Sequence, residues 1–203
     1  IYRKSFGHHT YGKIIEVKND DIYDIASITK IAASTVSIMK LNSEGTFNLE
    51  KKLGDKLPEL MGTSPLKNIR LRDMLAHQAG LTPWIPFYTK TMVDGSLSDQ
   101  YYRTVKSDSF SVKVAEDLWI DKTYQTKMYK EMLSSTLKAK RYKYSDVGYY
   151  FIKKIELAHE SETESENHAA FFRAFAERFS WFFPEKENLT PAGFSAPHLF
   201  ALF

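Results

Sequence analysis

The sequence predicts a mixed α/β chain, and three features carry that prediction. Two short runs at 1–6 and 13–17, bounded by Gly7 and Gly12, have the β-branched content and turn punctuation of strands. A helix pattern opens directly after Ser27, with Ile28, Ile31, Ala32, Val36, Ile38, Met39 and Leu41 apolar. Those positions cover most of a helix surface, so the helix is expected to be buried on nearly all sides. Finally, Arg141-Tyr142-Lys143-Tyr144-Ser145-Asp146-Val147-Gly148 reads as a polar turn that leads into a further helix.

The bulk numbers bound the rest. The chain has 203 residues and is 43% hydrophobic, enough for one domain with a real core. A net charge of +3 is too small to point to nucleic acid, and no basic tract with interleaved aromatics is present. No apolar run is long enough to span a membrane. With zero cysteines, disulfides, thiol catalysis and Cys-based metal sites are excluded. His8 and His9 are adjacent, a poor spacing for two ligands of one metal. The first residues do not read as a signal peptide.

Along the chain, Asn19-Asp20-Asp21 is a turn and 22–25 leads into Ser27. Gly45 suits the C-terminal stop of the helix that follows Ser27. Residues 49–60 are amphipathic but broken by Gly54 and Pro58, so one or two short helices are expected. Residues 69–77 repeat the pattern with Leu71, Met74 and Leu75 on one face, His77 at the end and Gly80 as a stop. His77 fits a structural cap better than a catalytic role. Residues 89–99 read as a surface loop, 111–120 as extended chain and 124–137 as a helix.

The chemistry is concentrated around Ser27. Its backbone N–H stands at a helix start, where the dipole favours negative charge. Lys30 lies one turn on, so its amine can reach the Ser27 hydroxyl. A serine activated by a neighbouring amine, at a site that stabilises an oxyanion, is a candidate nucleophile. The same four letters also arise from an N-cap serine followed by an exposed lysine, and the motif alone does not separate the two.

Two further stretches give the motif a context. Tyr23-Asp24-Ile25-Ala26-Ser27-Ile28-Thr29-Lys30 together with Leu71-Arg72-Asp73-Met74-Leu75-Ala76-His77-Gln78-Ala79-Gly80-Leu81 resembles the serine β-lactamase and penicillin-binding-protein superfamily. The resemblance is to its class C β-lactamase, D-alanyl-D-alanine carboxypeptidase and esterase branch, which carries a Ser-x-x-Lys helix and then a His-x-x-Gly-Leu stretch. Thr82-Pro83-Trp84-Ile85-Pro86-Phe87-Tyr88 is similar to the domain fused to family 3 glycoside hydrolases in Bacteroidetes-type bacteria. Tyr144-Ser145-Asp146 resembles the branch's Tyr-x-Asn motif, with Asp146 in the asparagine place.

The resemblance implies an α/β (α+β) fold of β-lactamase/transpeptidase type: an antiparallel sheet flanked by helices plus a mostly helical lobe, here expected to be incomplete at both ends. It implies acyl transfer through an acyl-Ser27 intermediate on a β-lactam, a D-alanyl peptide or a small ester, with no metal and no cofactor. Lys30, Tyr144 and Asp146 complete the implied site. Lys30 beside Tyr144 would favour the phenolate, letting Tyr144 take the Ser27 proton, while Asp146 would hold Lys30 in place. A carboxylate keeps Lys30 charged more firmly than an amide would, which favours Tyr144 over Lys30 as the base. A periplasmic or cell-envelope location in a bacterium, and a fused glycoside hydrolase in a longer parent, are also implied. The alternative is a non-catalytic cell-wall-binding or scaffold module that keeps the fold.

The match runs from about Gly7 to Lys154. No Lys-Thr-Gly or His-x-Gly triplet follows Tyr144, so the family's second oxyanion donor has no counterpart in the sequence, and weak or absent activity is expected. Composition also changes near Ile155. All 12 tyrosines lie at or before Tyr150, whereas nine of the 14 phenylalanines lie at or after Phe171. Residues 1–155 therefore read as a partial serine-hydrolase domain, and 156–203 as an atypical tail that is not its native continuation.

Overall fold

The structure, a computed structural model, describes residues 2–162 apart from Ile22, Asp24 and Ile25. The expected lead-in through Asp24 and Ile25, and the tail from residue 163 onward, lie outside the described residues. The fold combines helices with short antiparallel sheets.

Helix α1 starts just after Ser27. Its segment Lys30–Thr35 is wound as a π-helix and runs directly into the α-helical segment Val36–Ser43. The Thr35 hydroxyl donates to the Lys30 carbonyl oxygen at 2.8 Å and so satisfies an acceptor within the widened turns. Glu44 caps the helix, and Gly45 follows at φ +76°, the left-handed stop expected of a glycine there.

Burial of α1 departs from expectation. Ile38 and Leu41 point inward, but Ile28 and Ile31 are 60% and 67% exposed, and Val36 and Met39 are exposed as well. Among the described residues α6 packs against the Lys30–Thr35 segment, and the side that carries Ile28, Ile31, Val36 and Met39 stays open. The two strands expected at 1–6 and 13–17 also do not form. The segment is a loose hairpin held by one bridge between His8 and Glu16 and by the bonds His9 N–H to Ile15 and Val17 N–H to Gly7. Two such strands, with nothing further paired to them, do not sustain a ladder.

Beyond α1 come the short helices α2 (Leu53–Lys56) and α3 (Pro58–Met61), a 3₁₀ turn at Pro65–Asn68, and α4 (Leu71–Leu75). Proline at the first position of α3 and of the 3₁₀ turn explains their starts. The stretch expected as a surface loop at 89–99 is more ordered than that. A 3₁₀ turn at Phe87–Thr91 feeds the hairpin β1 (Met92–Val93) and β2 (Ser96–Leu97). Asp94 and Gly95 turn it with φ +49° and +78°, the geometry that an Asp-Gly pair favours. Thr91 is fully buried, its hydroxyl bonded to the Tyr88 carbonyl and the Tyr102 hydroxyl.

A second sheet has the order β3-β5-β4, all antiparallel, from β3 (Tyr102–Arg103), β4 (Val112–Ala115) and β5 (Leu118–Ile120). Helix α5 (Tyr124–Ser134) follows, and then, after a connecting strap, α6 (Val147–Glu162). Leu41, Leu53, Leu66, Leu71, Met74, Met132, Val147, Phe151 and Ile152 are the most deeply buried apolar side chains among the described residues. They join α2, α4, α5 and α6 into one apolar centre. Tyrosines at its edge keep their hydroxyls paired: Tyr124 donates to the Phe87 carbonyl and Tyr129 to the Tyr150 carbonyl. Burial raises the Tyr129 pKa to about 12, so the group stays a neutral donor.

Gly80 is where this packing leaves no room. It sits at φ +73°, and its carbonyl accepts from Lys138 N–H at 2.8 Å. A Cβ there would fall on the Lys138 carbonyl oxygen, whereas one at Gly95, also left-handed, would meet nothing within 4 Å. Gly95→Ala should therefore cost only the left-handed penalty, about 1 kcal/mol. Gly80→Ala should exceed about 2 kcal/mol, because backbone must move as well. In a chain of this size the two should differ by at least ~2–4 °C in melting temperature. Equal melting temperatures for the two variants would show that the 80–138 contact is not tight.

Candidate active site

Three pieces of irregular backbone meet beside the core. The first is the turn that presents Ser27. Ala26 has φ +43°, which is strained for a residue with a Cβ, and Ser27 follows it at the start of α1 with its side chain exposed. The second is the end of α4, where His77 takes φ +57° and so ends the helix before Gly80 is reached. The third is the strap 142–146, without regular structure, which leads into α6.

The four residues singled out from the sequence come together around one ammonium. Lys30 Nζ donates to Ser27 Oγ at 3.0 Å and lies 2.7 Å from Asp146 Oδ1. It stands 5.6 Å from the centre of the Tyr144 ring and 5.7 Å from that of Tyr149. Asp146 Oδ1 is shut off from solvent, and the ammonium is the charge that compensates it. Burial works against the charged form of Lys30. The Asp146 carboxylate and the Tyr144 hydroxyl more than offset it, so the pKa is raised above the ordinary lysine value. Lys30 is thus a fixed cation and a hydrogen-bond donor, not a free amine. Tyr144 is 40% exposed.

The strap is held from below. Ser145, itself buried, donates through its hydroxyl to the Thr82 carbonyl at 2.7 Å, and Asp146 N–H donates to the Pro83 carbonyl at 2.8 Å. At Gly148, the second residue of α6, a Cβ would come within 2.8 Å of Met74 Cγ, so glycine lets α6 lie close on α4. That approach carries Asp146 to the Lys30 side of the site.

His77 does more than the cap that its sequence position implies. Its ring lies 4.4 Å from the Tyr144 ring centre, and its Nδ1 accepts from Ser145 N–H at 3.1 Å. The sequence signal was present in the His-x-x-Gly-Leu stretch, but nothing in it tells that the histidine reaches a strap 68 positions later. Ser145 has no such signal at all, since its part depends on a carbonyl brought in by the fold. Among the described residues no group of His, Asp and Glu is placed to hold a metal ion, and no helix is long and apolar enough to cross a membrane.

Residues 1–158 match the family profile described as Beta-lactamase. A curated relative, the N-acetylmuramyl-L-alanine amidase of Bacillus subtilis (strain 168), is 25% identical over 157 residues, which span 74% of this chain and 31% of the relative. The chain thus spans under a third of the length of that relative. With the profile running through the Ser27 helix, the His77 turn and the Tyr144 strap alike, the chain belongs to the Beta-lactamase family.

Proposed function

We propose that the protein is a serine hydrolase that works by acyl transfer. Ser27 Oγ attacks the carbonyl carbon of an amide or ester, and the bond to the leaving group breaks as the tetrahedral adduct collapses to acyl-Ser27. Tyr144 takes the proton from Ser27 and passes it to the departing nitrogen or oxygen. Water then adds to the acyl carbon while Tyr144 takes its proton; the adduct collapses with cleavage of the bond to Ser27 Oγ, Tyr144 returns the proton to that oxygen, and the carboxylic acid leaves. Lys30 remains an ammonium throughout. It orients Ser27 Oγ through the 3.0 Å hydrogen bond. Asp146 fixes Lys30, and the N–H of Ser27 at the start of α1 is the first donor to the oxyanion.

The observation that carries this reading is the shared ammonium, 3.0 Å from the hydroxyl and 2.7 Å from the carboxylate. Substrates of this kind are a β-lactam, a D-alanyl peptide or a small ester; the name of the Bacillus subtilis relative adds an N-acetylmuramyl-L-alanine amide to the set. A bacterial cell-envelope setting fits such substrates. With no Lys-Thr-Gly or His-x-Gly triplet after Tyr144, deacylating turnover is expected to be slow, by about the 10²–10³-fold that loss of one oxyanion donor costs.

Incubated with a fluorophosphonate, the 203-residue chain should gain one adduct, on Ser27, and Ser27→Ala should gain none. Adducts mapped to another serine, or none on the folded wild type, would favour the non-catalytic module instead.

Lys30→Ala and Tyr144→Phe should each slow labelling by roughly 10²–10⁴-fold, the range for removal of a positioned proton-transfer group. The double variant should be hardly slower than the worse single, because the two act as a unit. Strictly multiplicative losses would mean that one of them acts elsewhere.

A further inference from the structure

Tyr144 is placed between two anchored peptide groups, and both anchors are on one residue. Lys143 N–H donates to the His77 carbonyl at 2.9 Å, and Ser145 N–H donates to His77 Nδ1 at 3.1 Å. The His77 ring then backs the Tyr144 ring at 4.4 Å and 38°, with Tyr149 at 5.7 Å and Tyr142 edge-on at 6.3 Å. The first bond uses backbone and would survive any substitution. The second uses the side chain, and it requires an unprotonated Nδ1, with the ring proton on Nε2.

We propose that His77 is the positioning residue for Tyr144: as a neutral imidazole it pins the peptide after Tyr144 and supports the phenol ring, holding the hydroxyl beside Lys30 and Ser27. This rests on the acyl-transfer reading for what Tyr144 does there, though not for where the strap sits.

The surroundings favour the neutral ring. Burial pushes the His77 pKa down, the Lys30 ammonium adds to that, and the Asp146 carboxylate acts against both; the net shift is below the ordinary imidazole value. The charged and titratable groups that face His77 are thus Lys30 from α1, Tyr142, Tyr144 and Asp146 from the strap, and Tyr149 from α6. Since the folded value is lowered, the neutral form is complete above the ordinary imidazole range. The Ser145 bond is lost as pH falls through the folded value, when Nδ1 gains a proton and becomes a donor.

The backbone narrows the choice of residue. At φ +57°, asparagine and glycine are the tolerated replacements. Asparagine offers an acceptor without an ionisable ring, and glycine offers neither acceptor nor ring. The pair separates the hydrogen bond from the backbone demand.

The experiment follows exchange of the Ser145 amide in the full chain by NMR across pH 5–8, together with the fluorophosphonate labelling rate. In the wild type, protection of Ser145 should fall with acid, in step with the His77 ring resonances and beyond the usual pH slope of exchange. In His77→Gly, protection should drop about tenfold at all pH values, the fold-change expected for one lost neutral hydrogen bond. In His77→Asn it should be largely restored and lose its pH step. Labelling at saturating probe should slow by up to about 10²-fold in His77→Gly, as for a misplaced reacting group, with recovery in His77→Asn and little change in the half-saturating concentration. Identical Ser145 exchange in all three proteins would overturn the proposal. So would a wild-type amide that ignores the His77 titration, an outcome that remains decisive if the glycine variant does not fold. A wild type that never labels would sink the acyl-transfer reading while leaving the Ser145 exchange to decide the role of His77.

Discussion

The ion pair between Lys30 and Asp146 is the constraint on which the site depends. A partly buried ammonium and a carboxylate oxygen shut off from water are each costly alone, and removing either partner leaves the other uncompensated. The pair therefore fixes the start of α1 against the start of α6, although the chain passes through the rest of the core between them. It also fixes which face of α1 turns inward, because Lys30 and Ser27 share that turn with a 3.0 Å bond. The exposed outer stripe of Ile28, Ile31 and Met39 is the other side of the same orientation.

Asp146 stands where the family pattern resembles asparagine, and the difference has a chemical consequence. An amide would orient Lys30 by a neutral hydrogen bond and leave its proton free to move. A carboxylate at 2.7 Å raises the cost of neutralising the amine. In the proposed reaction the lysine is therefore an electrostatic part and not a base, which leaves proton transfer to Tyr144. Its lesser burden on Lys30 is a greater one on strap geometry, since a phenol must then be held within reach of Ser27 Oγ.

The parts of this arrangement that depend on local pattern were legible in the sequence. Ser27 and Lys30 are one turn apart on a helix, which was readable from spacing, whereas Tyr144 and Asp146 were singled out by resemblance to the Tyr-x-Asn motif. The two short helices at Leu53–Lys56 and Pro58–Met61, and the extended pair within 111–120, were readable from proline, glycine and alternation. What failed were statements about neighbours. An all-round apolar helix pattern predicts burial only if something packs on every side, and Ile28, Ile31, Val36 and Met39 of α1 remain exposed. The β-branched runs near the start have strand propensity, but among the described residues no third segment pairs with them, and they form a loose hairpin around the His8–Glu16 bridge. The Asp94-Gly95 turn was a local signal, yet its hairpin was read as loop because the flanking strands are two residues each. The π-helical start of α1 left no trace in the apolar pattern, since it depends on how Thr35 bonds back to Lys30.

Apart from Lys30, which lies in the first turns of α1, the groups around the site stand on backbone that is neither helix interior nor strand: a strained turn at Ala26, a left-handed helix end at His77 and a strap without regular structure at 142–146. Such backbone is placed only by what it is tied to. The ties here are directional bonds to carbonyls at Thr82 and Pro83 and to both ends of His77, and beneath them lies the rigid contact of Met74 with α6 at Gly148. Dispersion and burial in that contact set where the pieces are to within a packing distance, and they set nothing about where a hydroxyl points. The hydrogen bonds supply that remaining precision. Of these, the one from Ser145 to the His77 imidazole is made by an ionisable side chain, so it is the tie through which acidity can reach the strap without disturbing the core beneath it.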